Sequence, residues 1–384
     1  MLYIANFKIL PIDFIIAIIV LNKIPVIRNN TPVNKKWKDT FTMELFSPER
    51  VFFDTTSLKY PLGQKLLQYF EEKNVEIIKA PIQRVFHFIP GESENDKYSH
   101  AKKTLVITTK KSLNLDICKP SADYEFSLVT NCPGNCEYCY LHTTQSFKPY
   151  MRVYVNIEDI FETIKKYINK NSNNITTFEV ASAGDPLAVE HITGNLARTI
   201  EFFGKLDNGR LRVVTKFDNV DSLLDIEHRG HTRFRFSINS RYVIDTFEHN
   251  TANFSERIEA ATKIFNAGYP LGFIVAPIMV YDNWKEQYKE LFETLGQKLN
   301  FSNNKAPVTF ELIQHRFTTT AKNVITKRFP NTKLDMDETK RSLKWGMYGR
   351  YKYVYPREIS DEIKEYISTL IKNNFSDSII EYYT

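Results

Sequence analysis

The 384-residue chain is poor in cysteine, with 4, and it contains only 13 glycines and 16 prolines. Four cysteines cannot form a disulfide scaffold at this length. Any chemistry that they perform is therefore expected to be metal or radical chemistry in a reducing compartment. The low glycine and proline content excludes collagen-like and broadly disordered chains. Hydrophobic residues make up 42% and charged residues 25%, which is typical of a globular protein with one large domain or two ordinary ones.

Long hydrophobic runs are also missing. The apolar run at 14–21 is much shorter than the roughly 20 residues that span a bilayer, and no convincing secretory signal precedes it. We therefore expect no membrane partner and a cytoplasmic location. Residues 1–42 are predicted to be an extension outside the fold, with Met43 as an alternative to Met1 as the natural start. The other interpretation is a hydrophobic strand or helix packed on the main body.

The order of hydrophobic patterns predicts an α/β protein. Residues 43–120 are expected to form a small N-terminal α/β lid. Residues 121–330 are expected to form a partial barrel with ligand loops at the carboxyl ends of its strands, and residues 331–384 a hairpin and a helix, the helix near 361–373. The predicted barrel strands are 125–130, 176–181, 211–217, 233–238, 271–278 and 308–314. The predicted helices are 157–169, 190–203, 220–226, 257–267, 284–299 and 321–328.

Three cysteines, Cys132, Cys136 and Cys139, form a CxxxCxxC motif directly after the first predicted barrel strand. Structural zinc sites usually draw their ligands as CxxC pairs and fill all four positions. Iron–sulfur clusters normally take four cysteines, so three cysteines on a 4Fe-4S cluster leave one iron open to S-adenosylmethionine. The motif therefore predicts this cluster and this cofactor, with zinc binding or simple burial of the cysteines as the alternative.

Several further segments resemble the spore photoproduct lyase family of the radical S-adenosylmethionine superfamily. They are 136–144, 148–156, 233–239, 267–277 and 310–317. The likeness runs from about Phe46 to the C-terminus and implies a partial (βα)6 TIM-type barrel. It also implies repair of the lesion 5-thyminyl-5,6-dihydrothymine in the DNA of the spore core. A 5'-deoxyadenosyl radical would abstract hydrogen from carbon six, and the thymine allylic radical left after bond scission must then receive a hydrogen atom.

The hydrogen donor is where this sequence departs from the family. Ser182 stands where better-known members have the donor cysteine, and a serine O–H bond is too strong to quench the radical. Cys118 matches a serine that lines the lesion pocket in those members. We therefore expect Cys118 to donate the hydrogen atom, with Tyr138 or Tyr140 relaying the radical back to the cofactor. A free cysteine otherwise behaves as a small buried hydrophobe, and tyrosines as core residues.

The resemblance also implies the contacts of S-adenosylmethionine. Lys216, Ser237 and Ala276 match cofactor-binding positions, and each falls at the carboxyl end of a predicted strand, where a barrel presents its ligands. A solvated lysine is the alternative for Lys216. Gly184 stands where better-known members have a serine, so a side-chain hydrogen bond is not expected there.

Residues 321–357 carry ten basic side chains against three acidic ones, whereas the whole chain has a formal charge of +6. Aromatic residues between them, Trp345, Tyr348, Tyr351, Tyr353 and Tyr355, resemble the family's lesion-opening hairpin. DNA phosphates would contact the basic side chains, and exposed thymines would stack on the aromatic rings. Tyr348 and Arg350 are the expected lesion contacts. Met347 replaces an arginine at the tip and suits an apolar wedge. The alternative is a solvated charged face.

Three functions remain open from the sequence. The first is a DNA-repair radical lyase, and the second is a related radical enzyme that acts on another nucleic-acid or small substrate. The third is a catalytically idle DNA-binding module with a zinc or structural cluster. The resemblance implies double-stranded DNA containing the lesion and an electron donor such as flavodoxin or ferredoxin as partners, and we expect a monomer.

Overall fold

Runs of β-branched and aromatic residues build three sheets in the computed structural model, which describes residues 44–145, 148–171, 173–180, 182–299, 306–346 and 351–384. The predicted extension at 1–42 lies outside the described residues. The strands are β1 (Arg50–Phe53), β2 (Glu76–Lys79), β3 (Thr104–Thr108), β4 (Asp116–Ile117), β5 (Tyr124–Glu125), β6 (Val129–Thr130), β7 (Met151–Tyr154), β8 (Thr176–Glu179), β9 (Gly209–Thr215), β10 (Thr232–Ile238), β11 (Leu271–Ile278), β12 (Val308–Gln314), β13 (Ser342–Trp345), β14 (Tyr351–Val354) and β15 (Ser378–Tyr383).

Helices with one apolar face cover the sheets. They are α1 (Pro61–Glu72), α2 (Val85–Phe88), α3 (Glu94–Lys102), α4 (Leu141–Thr144), α5 (Ile157–Lys170), α6 (Glu190–Thr193), α7 (Asn195–Gly204), α8 (Arg241–Phe247), α9 (Phe254–Asn266), α10 (Trp284–Lys298), α11 (Thr319–Arg328) and α12 (Arg357–Asn374). The predicted helix at 190–203 is divided because Gly194 adopts a left-handed φ of 63°. The predicted helix at 220–226 is only a short 3₁₀ turn, Asp221–Leu223. No helix among the described residues is long and apolar enough to cross a membrane.

The larger sheet is the predicted partial barrel. Its strand order is β15-β12-β11-β10-β9-β8-β5-β4, and the strands from β15 to β5 run parallel. The predictions at 271–278 and 308–314 coincide with β11 and β12. Strand β15 adds a parallel strand after the final helix, which the sequence did not indicate. Parallel strands end at one edge of their sheet, so the loops after β8, β9, β10 and β11 lie together.

A five-stranded sheet in the order β2-β1-β3-β7-β6 packs beside the barrel. The predicted first barrel strand, 125–130, is wrong in one respect, because it is divided between the two sheets. Strand β5 pairs with β8 in the barrel, whereas β6 pairs antiparallel with β7. The three-residue bend between β5 and β6 lets the chain cross from one sheet to the other. The cysteine motif therefore follows a strand of the smaller sheet.

Candidate active site

The cysteine loop is fixed by backbone hydrogen bonds to the loops at the carboxyl edge of the barrel. Asn131, just before the first cysteine, donates its N–H to Ala183 in the loop after β8 at 2.8 Å. The N–H groups of Asn135 and Glu137 donate to His249 and Phe247, at the end of α8, at 2.7 and 2.8 Å. The loop therefore lies between the segments that follow β8 and β10, at the edge where a barrel holds its ligands.

The three motif cysteines are reduced thiols in this loop. Burial raises the pKa of Cys132 and Cys139, and it raises that of Cys136 to about 12. Cysteine binds a soft metal centre as the thiolate, so a metal centre bound here would have to displace these thiol protons. Among the described residues, no three His, Cys, Asp or Glu side chains are arranged to hold a single metal ion.

A clasp of four side chains, Tyr98, Lys102, His142 and Arg328, holds the outer side of the cysteine loop. Lys102 at the end of α3 donates to the Cys132 carbonyl and to the Gly134 carbonyl, the latter at 2.5 Å. Tyr98 Oη lies 3.0 Å from Asn135 Oδ1. The clasp thus satisfies loop carbonyl groups that would otherwise be buried without partners.

His142 in the clasp is neutral. Burial, followed by the charge of Arg328, lowers its pKa to about 3. Arg328 donates to Nδ1 at 2.7 Å, so the ring proton is assigned to Nε2, which lies 2.9 Å from the Cys136 carbonyl. The Arg328 guanidinium also stacks 3.7 Å from the centre of the Tyr98 ring. Sequence patterns did not link these residues, because they lie far apart along the chain.

Lys216 and Tyr138 meet in a second network, on the barrel side of the loop. Lys216 follows β9, and its Nζ lies 2.9 Å from Glu248 Oε1 and 3.0 Å from Tyr138 Oη. Tyr138 Oη also donates to Glu248. Although burial acts to raise it, Arg257 at 2.6 Å and Lys216 hold the pKa of Glu248 at about 2. Lys216 is therefore not a solvated lysine, and Tyr138 is anchored by its hydroxyl group.

The other predicted cofactor contacts lie beside Lys216. Ser237 is buried near the end of β10, and Ala276 is half-buried near the end of β11. Phe236 pairs with Thr215 across β10 and β9, so Ser237 lies opposite Lys216. The structure therefore brings Lys216, Ser237 and Ala276 to the ends of three neighbouring strands, as the resemblance implies.

The loop after β8 carries Ser182 and Gly184. Ser182 Oγ is buried and has no hydrogen-bond partner in the part of the chain that the structure describes. A Cβ at Gly184 would lie 2.6 Å from the Asn131 carbonyl oxygen, because the two residues form a β-bridge. Glycine at 184 thus permits close packing against the residue that precedes Cys132. Buried hydroxyl groups normally have partners, so Ser182 is suited to meet a ligand.

Cys118 directly follows the short strand β4. Burial, followed by the charges of Glu179 and Glu125, raises the pKa of its thiol. Tyr140 is 58% exposed as a whole residue, yet burial of its hydroxyl group, followed by the charges of Cys139, Glu125, Glu179 and Cys118, raises its pKa. Cys118 and Tyr140 therefore share one electrostatic environment, whereas the Tyr138 hydroxyl is held in the lysine network.

The loop that carries Cys118 is tied to a charged barrel interior. Arg235, fully buried on β10, lies 2.6 Å from Ser121 Oγ, 2.6 Å from Glu179 and 2.5 Å from Glu311. Arg212 donates to the Ser121 carbonyl at 2.6 Å. Our sequence analysis missed this network, although arginine alternates with phenylalanine at 233–236. That alternation places Arg233 and Arg235 on one face of the central strand β10.

The predicted DNA hairpin is present, formed by β13 and β14 in antiparallel pairing. Leu343, Trp345 and Tyr351 are exposed, and the Trp345 and Tyr351 rings lie 4.8 Å apart. The tip residues Met347, Tyr348 and Arg350 lie outside the described residues.

Parts of the predicted DNA surface have other partners. Tyr355 is buried, and its hydroxyl accepts the Val280 N–H at 3.0 Å. Arg341 is also buried and stacks 3.7 Å from the centre of the Tyr355 ring. Arg328 belongs to the clasp. Within 321–357, Tyr355 and Arg341 therefore pack inside the protein, and Arg328 has its partners in the clasp.

Comparison with known proteins agrees with this geometry. Residues 46–384 match the family model for spore photoproduct lyase. Spore photoproduct lyase of Geobacillus sp. (strain Y412MC61) is 48% identical over 342 residues, which cover 89% of this chain and 100% of the relative. The enzyme of Bacillus subtilis (strain 168) is 47% identical over 88% of this chain and 99% of its own length.

Solved structures show the same similarity. A spore photoproduct lyase complexed with dinucleoside spore photoproduct superposes with a TM-score of 0.86, at 47% identity, over 89% of this chain and 100% of that one. A double mutant, with a cysteine changed to alanine and a serine changed to cysteine, contains AdoMet and dinucleoside spore photoproduct. It covers the same shares at a TM-score of 0.85 and 47% identity. The chain belongs to the spore photoproduct lyase family.

Proposed function

We propose that this protein repairs the spore photoproduct 5-thyminyl-5,6-dihydrothymine in DNA, restoring two thymines, with S-adenosylmethionine as cofactor. The similarity to spore photoproduct lyases over nearly their whole length carries this proposal. It favours the repair lyase over a related enzyme with another substrate, because solved relatives contain AdoMet and dinucleoside spore photoproduct. Lys216, Ser237 and Ala276, at the ends of three neighbouring strands, are the proposed contacts of that cofactor.

We further propose that Cys132, Cys136 and Cys139 hold a 4Fe-4S cluster. Each cysteine of such a cluster binds a different iron, so the three sulfur atoms need not converge on one point, in keeping with the absence of a single-ion site among the described residues. When bound, the cluster supplies one electron that cleaves S-adenosylmethionine to the radical that attacks the lesion. The clasp and the barrel loops fix the cysteine loop, so the three cysteine side chains are held in place before the cofactor arrives.

Cys118 is the proposed hydrogen-atom donor. Only the protonated thiol can donate a hydrogen atom, and burial beside Glu179 and Glu125 raises the thiol pKa, so Cys118 stays protonated at neutral pH. The S–H hydrogen passes to the thymine radical and leaves a thiyl radical. Tyr140, which shares the environment of Cys118, then returns its O–H hydrogen to the sulfur and passes the radical onward. Ser182, which has no thiol, contacts the substrate.

The donor is tested with a dinucleoside spore photoproduct under anaerobic conditions. We expect Cys118→Ala to form 5'-deoxyadenosine at the wild-type rate but to give by-products in place of most of the thymine. Adding Ser182→Cys to that variant restores a thiol in the loop after β8, so thymine formation returns. One solved relative carries a cysteine-to-alanine substitution together with a serine-to-cysteine substitution, which is an exchange of the same kind. Clean thymine formation by Cys118→Ala alone would remove Cys118 from the mechanism.

Partners and location follow as proposals. The exposed Trp345 and Tyr351 of the hairpin, with the nearby exposed Lys344, suit contact with lesion-bearing duplex DNA. Tyr348 and Arg350 at the tip are the proposed lesion contacts. A reducing spore interior suits a protein with free cysteines. We propose a monomer, because the sequence contains no long heptad pattern.

A further inference from the structure

Two cavities open behind the cysteine loop, on the side of the clasp. Each has a volume of about 560 Å³, and they share walls formed by Asn95, Tyr98 and Arg328. The first cavity is also lined by Pro133 and Asn135, which belong to the cysteine loop itself. Solvent therefore reaches the loop between Cys132 and Cys136 from this side. Among the described residues, the proposed cofactor contacts Lys216, Ser237 and Ala276, together with Cys118 and Ser182, line neither cavity.

The surface around these cavities is basic. Five cations line the two cavities, against two carboxylates, Glu44 and Glu94. Two of the five are ion-paired, because Lys103 lies 2.7 Å from Glu49 and Lys327 lies 2.6 Å from Glu94. We call this surface the basic face; its cations are Lys97, Lys102, Lys103, Lys327 and Arg328. Lys102 and Arg328 use their donors on loop carbonyls and His142 rather than on carboxylates. Their positive charge is therefore not cancelled by an ion pair among the described residues.

Aromatic side chains lie among these charges. Phe86, in the wall of one cavity, is 37% exposed, and Lys97 Nζ lies 5.6 Å from the centre of the Phe86 ring. Phe329 lines the other cavity. A basic surface with exposed aromatic groups is typical of a docking site for an acidic protein, because charge steers the approach and apolar contact holds the complex. DNA is also acidic, but the described strands of the hairpin that suits DNA, β13 and β14, do not line these cavities.

The basic face is also connected to the cysteines by short hydrogen-bonded steps. Tyr98, in the wall of both cavities, lies 3.0 Å from Asn135 in the cysteine loop. His142 lies 3.2 Å from Tyr98 and 2.9 Å from the Cys136 carbonyl. An electron carrier at this surface would be separated from a cluster on the three cysteines by the clasp alone.

We propose that the basic face is the docking site of an acidic one-electron carrier protein of the flavodoxin or ferredoxin class. The carrier loses one electron and the cluster gains it, and no bond is formed or broken in this step. The proposal rests on the proposed function, because only a cluster on these cysteines requires the electron. It assigns electron entry to the clasp side and lesion chemistry to the barrel side, so the carrier and DNA bind at the same time.

The test reverses charge at the rim of the basic face. Lys97→Glu with Lys327→Glu is compared with a control, Lys165→Glu with Lys289→Glu, at two exposed lysines on α5 and α10. Binding of oxidised flavodoxin to the loaded protein is titrated at low and high salt. We expect about tenfold weaker binding for the rim variant at low salt, a smaller difference at high salt, and wild-type binding for the control.

Reduction of the cluster is measured in parallel by stopped-flow absorbance. Reduced flavodoxin is expected to reduce the rim variant about tenfold more slowly than wild type, whereas dithionite, a small reductant, reduces both alike and supports equal cleavage of S-adenosylmethionine. Should the rim variant fold poorly, Lys97→Gln with Lys327→Gln is expected to give an intermediate loss. Wild-type flavodoxin binding by the folded rim variants overturns the docking site. Failure of dithionite to support cleavage in the wild type instead overturns the proposed function.

Discussion

Removal of Arg235 is expected to destabilise the barrel strongly. Arg235→Met deletes the cation that lies 2.6 Å from Glu179 and 2.5 Å from Glu311, and it leaves two nearly buried carboxylates without their main partner. Breaking a buried ion pair by deleting one partner costs about 3–5 kcal/mol. Ser121 and Tyr382 still donate hydrogen bonds to the carboxylates, so we expect a loss within that range rather than above it.

The loss should depend on pH in a defined direction. In the variant, the two carboxyl groups can lose their unpaired charge by binding protons in the folded state. The penalty is therefore smaller at pH 5, where protonation is easier, and larger at pH 8. Wild type lacks this dependence, because Arg235 remains charged: burial acts to lower its pKa, but Glu179 and Glu311 outweigh this and raise it.

The assay is urea unfolding of the reduced apo-protein, followed by circular dichroism at pH 5 and pH 8. Arg210→Met is the matched control, because Arg210 lies one strand away and donates to the backbone carbonyls of Asp207 and Gly209; it should cost less than about 1 kcal/mol. A loss below about 1 kcal/mol for Arg235→Met at both pH values would refute the ion-pair argument. Arg235→Met should also lower thymine yield more than formation of 5'-deoxyadenosine, because the Cys118 loop loses its anchor at Ser121.

Two further outcomes are expected. Lys216→Met should weaken binding of S-adenosylmethionine at least tenfold in equilibrium dialysis. It should also lower the melting temperature, because among the described residues Glu248 then keeps only Arg257 as a paired cation. Unchanged binding would show that Lys216 does not contact the cofactor. Burial raises the pKa of Glu190 to about 7. Its contribution to the free energy of unfolding is therefore complete below the unfolded pKa near 4.5 and is lost as pH rises through 7, so between pH 5 and pH 8 wild type should lose roughly 2–3 kcal/mol relative to Glu190→Gln in urea titrations. A difference independent of pH would show that the carboxyl group does not titrate in this range.

The local sequence was sufficient to predict the central part of the barrel. Strands 271–278 and 308–314 were predicted to the residue, because a long apolar run bounded by turn residues is typical of a buried parallel strand. The cysteine motif could be identified for a similar reason, since its spacing is local and its residues have few other uses. Cys118 and Ser182 were singled out only because the family resemblance supplied an expected residue at each position.

Tertiary structure decided the features that depend on residues far apart in the chain. Periodicity cannot show that 125–130 is divided between two sheets, because both parts look extended and which sheet each joins depends on partners elsewhere. Nor can it show that β15 completes the barrel edge beside β12. Charge patterns alone placed Arg328 and Arg341 on a DNA surface, whereas packing assigns one to the clasp and the other to a buried aromatic contact. Sequence thus determined the chemistry of the cysteine loop, and only the fold determined which distant side chains surround it, because burial and pairing are properties of neighbours in space.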